Sequence, residues 1–104
     1  SEFEERKNFL ISFFQSIPGL DPFIPKGAFY LYVSCKGFIG KKHGDVLIKN
    51  DFDFANYILN YGNVAIVPGV AFGKSPFFRL SYATSLEKLK LACNQIEKCL
   101  RKLR

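Results

Sequence analysis

A chain of 104 residues that is 48% apolar, with twelve Phe and five Tyr, has enough hydrophobic mass for one packed core and too little length for two domains. This composition excludes a disordered chain, and no apolar run approaches the roughly 20 residues a membrane-spanning helix needs. The formal net charge of +6 leaves nucleic acid, an anionic surface or an acidic small molecule open as partners.

From Glu2 to Ile17, Phe3, Arg6, Leu10, Phe13, Phe14 and Ile17 recur at helical spacing, and Pro18-Gly19 stops the helix. The helix opens at the first residues without an obvious cap, so its natural start is expected further upstream. Pro22 and Pro25 punctuate a loop ending in Lys26-Gly27, and Ala28 to Val33 reads as a strand. Ser34 to Lys49, rich in glycine and lysine, reads as a long surface loop or hairpin. Asn50 or Asp51 can cap a second helix over Phe52 to Tyr61, with Gly62 as its stop. Val64 to Val67 is a buried-type strand, and Phe77 to Tyr82 is another. Thr84-Ser85-Leu86-Glu87 has the spacing of a capping box, and Leu86, Leu89, Cys93, Ile96, Leu100 and Leu103 form the apolar stripe of a last helix. The order α-β-α-β-β-α predicts an α+β fold: a small three-stranded sheet packed with helices.

The three cysteines show no C-x-x-C, and Cys93 and Cys99 would lie roughly 9 Å apart along a helix, beyond disulfide reach. They read as reduced core fillers of a cytoplasmic protein. The excess positive charge collects at Lys36, Lys41, Lys42 and His43 and again at Lys98, Arg101, Lys102 and Arg104. Cations suit the last turn of a helix, so a solvated face is favoured over a nucleic-acid patch.

Gly69-Val70-Ala71-Phe72-Gly73-Lys74-Ser75 ends like a phosphate-binding loop, but only three residues separate its glycines and it leads into a strand. A nucleotide-binding loop needs four, and it opens a helix that faces the phosphate, so this reading is rejected. His43 stands alone among lysines and glycines, without metal-ligand partners, and reads as an exposed loop residue. Arg79 is the residue of interest. Strand alternation puts Phe78, Leu80 and Tyr82 on one face and Phe77, Arg79 and Ser81 on the other. A guanidinium there offers a planar fork for a carboxylate, or an ordinary salt bridge to Asp or Glu.

Four stretches together resemble one family. Pro25-Lys26-Gly27-Ala28-Phe29-Tyr30, Asp53-Phe54-Ala55 through Leu59, Val64-Ala65-Ile66-Val67-Pro68-Gly69-Val70-Ala71-Phe72-Gly73, and Phe78-Arg79-Leu80-Ser81-Tyr82-Ala83 follow in order. They are similar to motifs in the C-terminal small domain of class I pyridoxal-phosphate-dependent aminotransferases of the aspartate aminotransferase type. The resemblance covers residues 1–104, with the large, cofactor-binding domain missing. Pro76-Phe77 departs from the family's frequent Gly-Tyr, and the Ser34 to Asn50 loop is unusually basic.

The resemblance implies that Arg79 pairs with the α-carboxylate of amino-acid and 2-oxo-acid substrates, such as aspartate and 2-oxoglutarate, in two half-reactions. It implies that pyridoxal 5'-phosphate and its Schiff-base lysine belong to the absent domain, leaving no catalytic, cofactor-binding or metal-binding residue here. The fragment is expected to be inactive alone, and its parent to be a cytoplasmic homodimer with no nucleic-acid or membrane partner. A sibling acting on aromatic amino acids, prephenate or alanine is the nearest alternative. A free-standing basic RNA-binding module is the alternative of another kind.

Overall fold

The computed structural model describes residues 2–24 and 29–104. Helix α1 (Glu2–Gln15) opens with Glu2, Glu4 and Glu5 at its positive end. Leu10 and Phe14, one turn apart, are fully buried, and Phe3, Phe9, Phe13 and Ile17 pack beside them. Arg6 ties α1 to the distant chain by donating from Nη1 to the Thr84 carbonyl at 2.8 Å.

Strands β1 (Asp21–Phe23) and β2 (Tyr30–Ser34) follow, then a single 3-10 turn (Lys36–Phe38) and the hairpin β3 (Lys42–His43) and β4 (Val46–Leu47). The expected start of the first sheet strand, Ala28, lies outside the described residues, as do Pro25, Lys26 and Gly27 of the opening motif. Helix α2 (Asp51–Gly62) is capped by Asn50, whose side chain accepts from the Asp53 N–H at 2.8 Å. It stops one residue later than expected: Asn63 takes the left-handed turn at φ 57°, and its N–H returns to the Leu59 carbonyl at 3.1 Å. Gly62 has a packing reason instead, since a Cβ there would lie 2.8 Å from Cys99 Sγ on the last helix.

Strand β5 (Val67–Pro68), a 3-10 turn (Gly69–Phe72), strand β6 (Phe77–Ser81) and helix α3 (Leu86–Leu100) complete the chain. Ser85, not Thr84, caps α3 by accepting from the Lys88 N–H at 3.2 Å. The position that would close a reciprocal box therefore holds Lys88, and Glu87 serves only as the first-turn acid. Leu89, Cys93, Ile96, Cys99 and Leu100 face the core.

The fold is α+β, as expected, but the antiparallel sheet has four strands in the order β1-β2-β6-β5. The added strand, β1, lies in the stretch read as a loop because of Pro22. A proline cannot donate to a ladder, yet an edge strand tolerates it, and Pro68 occupies the opposite edge in the same way. Pairing of β5 is confined to Val67–Pro68, so the strand expected over Val64 to Val67 is shorter than read.

Phe78 shows how the core joins sheet to helices. Fully buried, it packs edge-on against Phe14 of α1 at 5.9 Å and stacks on Phe54 of α2 at 5.4 Å. Leu31, Val33 and Leu80 line the same side of the sheet. Cys35, Cys93 and Cys99 are buried and unpaired. Burial pushes the thiols of Cys35 and Cys93 up to about 12.

Candidate functional site

Helices cover one face of the sheet, so alternation along β2 and β6 sends Tyr30, Tyr32, Phe77 and Arg79 to the other. The register makes a row across all four strands: Phe23 opposite Tyr32, Tyr32 opposite Arg79, and Arg79 opposite Val67. One cation therefore sits in a line of apolar and aromatic side chains.

Arg79 is half-buried by rings on two sides. Its guanidinium carbon lies 4.9 Å from the Tyr30 ring centroid and 5.1 Å from that of Phe72. Each such contact is worth about 0.5–1 kcal/mol when exposed and about 2 when desolvated. Tyr32 links this pair to its neighbours, at 5.2 Å from Phe72 and 5.5 Å from Tyr30, and stacks on Phe23 at 6.3 Å. A hydrogen bond with Tyr30 and partial burial raise the Tyr32 phenol above its usual 10.0. Glu97 pairs with Arg101, and Arg79 makes no ion pair with a described carboxylate, so the ordinary salt bridge considered for it does not form there. The guanidinium thus has two aromatic neighbours and no carboxylate partner among the described residues.

Phe72 reaches Arg79 through the segment Gly69–Phe77. Gly69 is required at its start, because a Cβ there would collide with the carbonyls of Lys74 and Phe77. The Lys74 N–H closes the turn onto the Gly69 carbonyl at 2.7 Å. The segment leads into β6, not a helix, in keeping with the rejection of a phosphate-binding loop. Just past β2, Cys35 holds the far end: its N–H and its thiol both donate to the Pro76 carbonyl, at 3.0 and 3.1 Å. From α2, Asp51 holds the near end, accepting from the Val70 N–H at 2.7 Å and from the Ser75 hydroxyl.

Asp51 is the residue sequence reasoning missed. The sequence offers it only as an alternative cap to Asn50, whereas Asn50 caps the helix and Asp51, 1% exposed, points its carboxylate at the loop. Two capping residues in tandem, where a helix uses one, were the available signal. Beside this loop a cleft of about 490 Å³ is lined by Asp21, Phe23, Tyr32, Lys74, Ser75 and Phe77. Lys74 Nζ lies 5.5 Å above the Tyr32 ring.

His43 is not an exposed loop residue. It is half-buried against Tyr57 and Tyr61, with Nδ1 3.1 Å from the Tyr57 hydroxyl. Tyr57 gives its own proton to the Cys99 carbonyl at 2.8 Å, so His43 Nδ1 is the donor of the pair. The two basic clusters meet, because Lys42 and Arg104 exchange backbone hydrogen bonds at 2.9 Å in each direction. No group of three or more His, Cys, Asp or Glu suited to a metal occurs among the described residues.

The chain belongs to the aminotransferase class I and II family, whose model matches residues 1–96. Among curated proteins it is 46% identical over 95 residues to an aspartate aminotransferase of Rhizobium meliloti, covering 90% of this chain and 23% of that protein. It is 42% identical over 96 residues to a probable aspartate/prephenate aminotransferase of Rickettsia conorii, covering 91% of this chain and 24% of the relative. The crystal structure of the Rhizobium meliloti aspartate aminotransferase superposes with a TM-score of 0.94 at 44% identity, over 98% of this chain and 26% of that one. An alanine aminotransferase from Pyrococcus furiosus shares the fold at TM-score 0.82 and 27% identity, over 96% of this chain and 24% of its own. The chain thus spans about a quarter of the length of these relatives.

Class I aminotransferases use pyridoxal phosphate, which needs an enclosed lysine for its Schiff base and a cradle for its phosphate. Every described lysine is exposed or only half-buried. The described residues therefore do not by themselves fit the cofactor.

Proposed function

We propose that this chain is the C-terminal small domain of a pyridoxal-phosphate-dependent transaminase and that Arg79 binds the substrate's α-carboxylate. The observation that supports the assignment is the guanidinium of Arg79, held between Tyr30 and Phe72 without a carboxylate among the described residues. The fork pairs bidentately with a carboxylate, and the flanking rings keep it in plane and partly dry, where charge-assisted hydrogen bonds are strongest. Fixing the carboxylate at one end of an amino acid orients the bonds at its Cα, a positioning role that lowers the entropic part of the barrier.

The parent's reaction is exchange of an amino group between aspartate and 2-oxoglutarate, giving oxaloacetate and glutamate. The names carried by the Rhizobium and Rickettsia relatives support this substrate class, and the Rickettsia name favours prephenate as the second reading. The cofactor, which supplies the electron sink for this chemistry, is held by residues outside this chain. In the parent, the aromatic face around Arg79 lies toward that missing part. Phe23, 55% exposed and stacked on Tyr32, marks the surface it covers. The parent is a cytoplasmic homodimer, and the isolated chain has no activity of its own. Among the described residues no helix is long and apolar enough to cross a membrane.

The test compares the 104-residue chain with the longer protein that carries it, each supplied with pyridoxal phosphate, aspartate and 2-oxoglutarate. Oxaloacetate formation by the longer protein alone is the expected result. Turnover by the isolated chain would overturn the assignment, as would a longer protein inert toward every amino donor.

A further inference from the structure

We infer that Asp51 is a positioning residue for the Arg79 site, acting through the loop that carries Phe72. The inference rests on the carboxylate-binding reading of Arg79 and extends it to a residue on a different element.

Among the described residues Asp51 is the one buried charged side chain. Removing a carboxylate from water is costly, so its hydrogen bonds must compensate. Capping does not account for it, because Asn50 already accepts from the Asp53 N–H. Both Asp51 oxygens instead leave the helix. Oδ2 takes the Val70 N–H at 2.7 Å and Oδ1 takes the Ser75 hydroxyl, so one carboxylate holds residues on either side of Phe72. Its place in the first turn of α2 gives the negative charge a favourable helix end.

The loop between those two anchors has a single aromatic side chain, and that ring contacts both Arg79 and Tyr32. A shift of the loop moves Phe72, and with it one of the two rings that contact the guanidinium. The requirement is for two acceptors, one facing an N–H and one an O–H. Asparagine has the same size but supplies a single acceptor and turns an NH2 toward the other donor. Asp51→Asn therefore perturbs the loop without opening a cavity, and Ser75→Ala releases one anchor only.

The experiment measures succinate binding to the longer protein by isothermal titration calorimetry. Succinate has two carboxylates and neither an amino nor a keto group, so the readout is affinity and not turnover. Asp51→Asn should weaken succinate about 5- to 50-fold and Ser75→Ala about 2- to 10-fold, with the double variant no weaker than Asp51→Asn. In parallel, the KM for aspartate should rise in step while kcat stays within about threefold. Ile96→Val, a core change on α3, should lower stability and leave succinate affinity unaltered.

If Arg79→Ala abolishes succinate binding while Asp51→Asn and Ser75→Ala bind like the parent, Asp51 is structural only and the inference falls. Should Asp51→Asn fail to fold, Ser75→Ala decides by itself. If Arg79→Ala leaves succinate binding unchanged, the carboxylate reading fails first.

Discussion

Arg79 and Phe72 belong to different parts of the chain's last third, yet the guanidinium carbon of one lies 5.1 Å above the ring of the other. The strand that carries Arg79 fixes it between Tyr32 and Val67 in the sheet, and the loop that precedes the strand folds Phe72 back over it. Removing the ring should leave the cation in place but free its plane. Phe72→Ala in the longer protein should weaken aspartate binding by about 0.5–2 kcal/mol, or roughly 2- to 30-fold, with Phe72→Leu no better. Substrate titration of the cofactor absorbance measures it. An Ala variant with unaltered affinity would show that the ring is packing alone.

Phe78 is next in the chain to Arg79 and on the opposite face of the sheet. It is 0% exposed and bridges α1 and α2 through Phe14 and Phe54. Phe78→Ala should cost about 3–5 kcal/mol, read as a shift of the urea midpoint at unchanged m-value.

Gly62→Ala places a methyl 2.8 Å from Cys99 Sγ, so α2 and α3 must separate or the thiol must turn. A loss of about 1–3 kcal/mol is expected. Cys99→Ala should restore most of it in the double variant, because the obstruction is a side chain and not backbone. Non-additive denaturation midpoints across the four proteins of the cycle would establish the contact.

Alkali should destabilise the fold through its thiols. Burial, and for Cys35 also the nearby Asp51 charge, raises Cys35 and Cys93 from the usual 9.0 to about 12. The unfolded chain thus loses these protons at lower pH than the folded one. The stability they contribute is complete below pH 9 and is lost as pH rises from 9 toward about 12. Equilibrium unfolding across that window should show the decline, and Cys93→Ala should flatten it. At neutral pH both thiols should resist alkylation until the chain unfolds.

Much of this was readable because local chemistry and global packing agree. Phe78, Leu80 and Tyr82 alternate with Phe77, Arg79 and Ser81, so the two faces of β6 were set before any neighbour was known. The α3 stripe was equally plain. What escaped depends on partners distant in sequence. Strand β1 was hidden by Pro22, which is tolerated only because β1 lies at an edge. Asp51 looked like a cap because its partners lie 19 and 24 positions downstream. His43 looked exposed because Tyr57 approaches from another element, 14 positions away. The aromatic walls of Arg79 combine alternation along β2, which placed Tyr30, with the fold of a loop, which placed Phe72.

The central claim is that Arg79 anchors the substrate carboxylate, and a single-turnover half-reaction with aspartate tests it most directly. Cofactor absorbance would be followed in the longer protein with Arg79, Arg79→Lys and Arg79→Ala. Truncating one member of a partly buried charge pair costs about 2–5 kcal/mol, so apparent aspartate affinity should fall about thirty-fold to a few thousand-fold in Arg79→Ala. Cofactor binding should be retained, and Arg79→Lys should recover only part of the loss because a lysine cannot make the fork. An Arg79→Ala protein that binds its cofactor and reacts with aspartate as the parent does would contradict the account.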